Sequence, residues 1–203
     1  MPASTDEVFV GLDVPRHLVP LTTKFRSTWI VASQGALRTR GFFDRYMKLL
    51  PEAQRDAVLT TVVGTWIPVE LAVAHYTACD RLALSSSEQY EIGRILTGPM
   101  NNSLLGFTGH LAREAGATPW TLLAHVRRIW ERMWVGGAIA VYKEGPKQAR
   151  VELVACALAP VPYFRTAMRG VLAAVGEKFC TKLYLKEIPT RDPTAMVYRG
   201  SWV

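Results

Sequence analysis

The chain is short of several features that would narrow its role. It has three cysteines, Cys79, Cys156 and Cys180, far apart and in no C-x-x-C pair. So odd and scattered a set excludes a disulfide scaffold and points to buried thiols in a reducing compartment, the cytoplasm. There is no G-x-S-x-G turn, no P-loop, no G-x-G-x-x-G and no H-E-x-x-H. The sequence therefore offers no nucleophile elbow, no phosphate cradle and no zinc-binding helix. No run of five like charges occurs, and MPASTDEVFV at the start carries acidic residues where a signal peptide needs positive charge. The most apolar stretch, Val58 to Cys79, is interrupted by Gly64, Pro68, Glu70 and His75. It reads as two buried helices and not as a membrane span.

What is present is a core-forming composition with surplus positive charge. The 203 residues are 49% hydrophobic and 20% charged. A chain of this size buries about 70% of its extended surface, as one domain or two small ones around one core. Twenty-four Lys and Arg against 17 Asp and Glu give a net charge of +7. That excess admits nucleic acid, an anionic membrane or an acidic protein without selecting one. The basic residues are spread over many segments, so a solvated basic surface is the expectation and nucleic-acid binding is not.

Residues 1–30 read as an arm, with a short strand at Val8–Val10. Lys24 to Gly41 alternates in part and suggests an extended approach to the first helix, which spans Phe42 to Leu50. Pro51 opens a second helix with Val58, Leu59, Val62 and Val63 as its apolar stripe. Trp66-Ile67-Pro68 starts a long helix to Leu82. Ser85 and Glu88 form a capping-box signal for the next one, which Gly98-Pro99 ends. A further helical set runs from Leu104 to Ala112, and Thr118-Pro119 caps a helix through Met133. At Gly136-Gly137 the character changes to a hairpin, a helix from Pro162 to Gly176, and strands at Phe179–Ile188 and Ala195–Val203. The expected fold is α+β. A helical subdomain, 31–135, precedes a ββαββ antiparallel-sheet subdomain, 136–203, and the two share a core.

Several short motifs occur in a particular order. They are Gly35 to Phe42, Thr65-Trp66-Ile67-Pro68, Glu91-Ile92-Gly93-Arg94, Thr118-Pro119-Trp120 and Gly136-Gly137. Gly145-Pro146-Lys147, Pro162-Tyr163-Phe164-Arg165, Gly170 and Ser201-Trp202 follow. In this order the chain resembles an uncharacterised family of similar length that is abundant in myxobacteria. Its ββαββ end is similar to the last part of H-NOX (haem-nitric-oxide/oxygen-binding) domains and of vinyl-reductase-type small-molecule-binding domains. The resemblance implies a helical part closing over a sheet around an apolar ligand pocket, in a sensory or regulatory protein that is not an enzyme. It also raises haem, which in H-NOX domains needs an axial His and a Tyr-x-Ser-x-Arg clamp. No Tyr-x-Ser-x-Arg is present, and His110 is the one candidate axial ligand. No cofactor is expected on that basis, and no metal, because Cys156 and Cys180 have no neighbouring cysteines.

The candidate ligand site combines aromatic and basic residues. Trp66, Trp120, Trp130 and Trp134 could line a pocket, or be core. Arg127, Arg128 and Arg132, with Arg165 and Arg169, could bind an anion if their helices meet; otherwise Glu131 pairs with Arg127 or Arg128 on an exposed face. Glu91 and Arg94 are expected to bridge, with Gly93 marking a close approach. The expected ligand is a small apolar or anionic molecule, or a partner protein, held between the helical and sheet parts. The alternative is a dimerisation module without a ligand.

Overall fold

The structure, a computed structural model, describes residues 7–97 and 116–203. In chain order, β1 (Glu7–Val10) and β2 (Lys24–Arg26) precede α1 (Thr28–Thr39), α2 (Phe43–Leu49) and α3 (Glu52–Leu59). Then come β3 (Trp66–Pro68), α4 (Val69–Asp80) and α5 (Ser86–Ile95). Beyond residue 115 lie α6 (Pro119–Leu123), α7 (Val126–Met133), β4 (Trp134–Val135), β5 (Ala138–Gly145) and β6 (Gln148–Val154). The chain ends with α8 (Pro162–Gly176), β7 (Leu183–Ile188) and β8 (Met196–Trp202). The α+β class and the ββαββ end agree with the sequence.

The strands form two sheets. A five-stranded antiparallel sheet has the order β1-β5-β6-β8-β7, and a three-stranded one has the order β3-β2-β4. Gly136 and Gly137, both at positive φ (80° and 63°), carry the chain from one to the other. A side chain there would be strained. The outer face of the large sheet is polar. Glu144 accepts from Arg199 and Arg150, and Glu152 accepts from Arg150 and, at 2.7 Å, from Arg16 of the arm.

Four local expectations change. Residues 28–39 are helical and not extended, because Trp29, Ile30, Ser33, Gln34, Ala36 and Leu37 all bury one helical face. The stripe on α3 stops at Leu59, and Val62 and Val63 are exposed. Trp66 to Pro68 is a strand, since Pro68 at φ −55°, ψ 140° is extended and caps α4. The helix expected through Met133 breaks at His125 (φ −105°, ψ 3°) into α6 and α7. The expected helix from Leu104 to Ala112 lies outside the described residues.

One hydrophobic cluster runs through both halves. Phe25 packs on Trp134 at 4.5 Å between ring centres and on Tyr76 at 6.1 Å, and Tyr76 packs on Phe164 of α8 at 4.8 Å. Among the described helices, α5 and α8 make the closest contact. A Cβ on Gly93 would collide with the Ala167 carbonyl, and one on Gly170 with the Tyr90 carbonyl. The glycines let the two backbones touch, and an Arg94–Glu177 pair at 2.8 Å spans the same crossing. The capping box at α5 is complete: Ser85 Oγ accepts from the Glu88 N–H at 3.2 Å, and Glu88 accepts from the Ser85 N–H at 2.9 Å.

Candidate functional site: an apolar cavity between helices and sheet

The period of two along a strand places Ala149, Val151 and Leu153 of β6 on one face. Leu183 and Leu185 of β7 and Gly200 and Trp202 of β8 share that face, which looks toward the helices. Register sets Leu185 and Ala149 on either side of Gly200. Two small residues side by side lower the floor there. Above it, α6 and α7 contribute Leu122, Val126, Ile129, Trp130 and Met133, while α8 contributes Met168, Val171 and Val175. The result is a cavity of about 130 Å³. Among the described residues, no charged and no hydroxyl-bearing side chain lines it.

The sequence-selected residues divide. Trp130 and Trp134 both line the cavity and stack on each other, with centroids 5.0 Å apart and planes 14° apart. The Trp130 N–H is spent on the Gly136 carbonyl at 3.1 Å. Trp120 stands just outside, edge-on to Trp202 at 5.0 Å, and donates to the Pro146 carbonyl at 2.8 Å. Trp66 is on the outward face of the small sheet, under the Arg26 guanidinium at 3.9 Å. His110 lies outside the described residues.

The arginines are engaged in different places. Arg127 binds Asp13 and the Gly11 carbonyl, each at 2.5 Å, and so holds down the arm instead of pairing with Glu131. Arg165 pairs with Glu187 and donates to the Ala159 carbonyl at 3.2 Å, while Arg169 sits over the Tyr90 ring at 5.3 Å. None of the three lines the cavity. Sequence reasoning missed Trp29, Trp202 and the sheet-facing aliphatics. A signal was present in the alternation at 149/151/153, 183/185 and 200/202, which defines one face of the sheet but not a space above it.

A second, polar cluster lies in the helical core. The Tyr46 hydroxyl meets His75 Nδ1 at 2.6 Å, and Nε2 lies 3.7 Å from Cys79 Sγ. Tyr46, His75 and Cys79 are all fully buried. Burial lowers the His75 pKa to about 3, so the ring is neutral. Burial pushes the Cys79 thiol well up and the Cys156 thiol up to about 12, so neither is a thiolate nucleophile at neutral pH.

The described residues do not fit haem. An iron needs an axial ligand, and His75, with both ring nitrogens engaged, does not line the cavity. No cation or hydroxyl group in the lining could hold a propionate. An engineered apolar cavity of about 150 Å³ admits benzene; a tetrapyrrole is several such rings across.

No protein-family profile matches the chain, and no curated protein matches it significantly. Solved structures do. A ferrous unliganded H-NOX protein from K. algicida aligns with a TM-score of 0.62 at 11% identity, over 88% of this chain and 96% of the other. A point mutant of T. tengcongensis H-NOX aligns at 0.56 and 10%, over 87% and 97%. An oxygen-binding H-NOX domain related to soluble guanylate cyclases, in its oxygen complex, aligns at 0.55 and 11%, over 87% and 94%. At such identities the likeness is one of fold. The chain has an H-NOX-like α+β fold.

Proposed function

We propose that this chain is a non-enzymatic sensory module that binds one small, uncharged, apolar molecule in the cavity between the helices and the sheet. The observation that carries the reading is a space of about 130 Å³ at the junction of the two parts, lined among the described residues by apolar side chains and glycine. Apolar cavities of about this size stay dry and take up benzene or xenon, because burial of an apolar guest replaces lost dispersion contacts. Among the described residues the lining supplies no acid, base or nucleophile, which supports a binding role over an enzymatic one. It also favours the apolar ligand over the anionic one, since Arg127, Arg165 and Arg169 all have other partners. We keep the resemblance to the myxobacterial family on the order of its sequence motifs, and the resemblance to vinyl-reductase-type domains on the ββαββ end; the latter is consistent with a ligand-binding role. We place the protein in the cytoplasm on its cysteine pattern.

The test is titration with benzene, read by tryptophan fluorescence and thermal melting. Trp29, Trp130, Trp134 and Trp202 all line the site. Saturable quenching and a raised melting temperature are expected, worth about 2.7 kcal/mol at a hundredfold excess over Kd. Ala149→Leu, which fills the floor, should remove both. No response up to the solubility limit would refute the reading. A Soret band in protein expressed with haem available would replace it with a haem site that involves residues beyond the described ones.

A further inference from the structure

Trp66, which the cavity leaves out, belongs to a different surface. β2, β3 and β4 bury Phe25, Ile67 and Trp134 on one face, and place Lys24, Arg26, Trp66, Pro68 and Val135 on the other. Those five strand residues include two cations and no anion. Beside it, the turn after α3 exposes five consecutive residues, Val62 to Trp66. Val62 is 65% and Val63 59% accessible.

Three carbonyls of this turn are already paired within the protein. The Val62 carbonyl accepts from the Ser27 and Thr65 hydroxyls at 2.7 and 2.8 Å. The Gly64 carbonyl accepts from Arg26 at 2.9 Å, and the Thr65 carbonyl from the Ser27 N–H at 3.0 Å. A turn that stays in water has no need of such partners, because water serves. A turn that approaches an apolar medium gains from each such pairing, since an orphaned carbonyl there is costly.

We propose that this patch is a contact surface for an anionic lipid membrane. Val62 and Val63 reach below the headgroups, Trp66 lies at headgroup level, and Lys24 and Arg26 face the lipid anions. Tryptophan favours that level, and cations beside it are drawn to an anionic leaflet. A run of five exposed residues that includes two adjacent valines suits a deformable bilayer, whereas a protein partner would have to present a matching groove. Arg26 serves twice, bracing the turn through Gly64 and lying on the Trp66 ring at 3.9 Å. The surface is separate from the cavity, and neither reading depends on the other.

Sedimentation with vesicles of phosphatidylcholine alone, and of phosphatidylcholine with phosphatidylserine, tests this. The expected result is binding to the anionic vesicles that weakens as salt is added. Val62→Asp with Val63→Asp should abolish it while leaving the melting temperature unchanged, because both side chains are exposed. Lys24→Gln should weaken it about fivefold, the share of one cation near the surface. Failure to bind anionic vesicles at low salt, or undiminished binding by the double aspartate variant, would overturn the proposal. Salt-sensitive binding to a polyglutamate peptide without vesicle binding would overturn it in favour of an acidic protein partner.

Discussion

Acidification should destabilise this protein through the buried His75 before most of its carboxylates titrate. His75 lies in the helical core with Tyr46 on one ring nitrogen and Cys79 near the other. Its pKa falls from 6.5 to about 3 because burial removes water from the charged ring. The unfolded chain thus takes up this proton first as the pH drops. The stabilisation is complete above pH 6.5, declines by about 1.4 kcal/mol per pH unit below it, and is exhausted near pH 3. Over that whole span the loss is roughly 5 kcal/mol, comparable to the total stability of many domains. Between pH 6.5 and 5.0, where most carboxylates are still ionised, it is about 2 kcal/mol. Urea denaturation at intervals from pH 8 to 5 measures it. His75→Gln keeps an acceptor for the Tyr46 hydroxyl and cannot titrate, so its profile should be flat across the same window. Parallel losses in parent and variant would place the proton elsewhere and refute the reasoning. So would a parent whose stability does not change between pH 7 and 5.

Two further substitutions probe the frame around the cavity. Gly93→Ala drives a methyl group into the Ala167 carbonyl on α8, whose next turns line the site. A loss of about 3 kcal/mol or more is expected by chemical denaturation, and an unchanged midpoint would mean the helices are farther apart. Ser85→Ala removes one half of the capping box and should lower stability by about 1 kcal/mol, a shift of about 2–4 °C in melting temperature. The same change made at an exposed serine such as Ser87 should do neither.

The parts of the fold legible in the sequence were those with a local cause. Ser85 and Glu88 fixed the start of α5, Pro162 the first turn of α8, and Gly136-Gly137 the change from helix to sheet. Gly93 also announced itself, since a glycine inside a helix is tolerated where another backbone comes close. What stayed hidden was nonlocal. The three-stranded sheet joins Phe25, Ile67 and Trp134, residues far apart in the chain, and no local pattern identifies strands of two or three residues. Arg127 looked like part of an anion site because its partner, Asp13, is 114 residues away. Trp130 and Trp134 were legible as aromatics one turn apart. That they face a cavity depends on Ala149 and Gly200 meeting across β6 and β8, which only the register determines.

The proposed function turns on whether the apolar space between α7, α8 and the sheet accepts an apolar guest. A crystal structure determined under xenon pressure tests it most directly. Xenon is apolar and polarisable, and it enters such cavities without needing a hydrogen bond. The account predicts a xenon peak bounded by Trp130, Met168, Val171, Ala149 and Leu185. A site filled by the protein's own side chains, or by ordered water with no xenon, would contradict it.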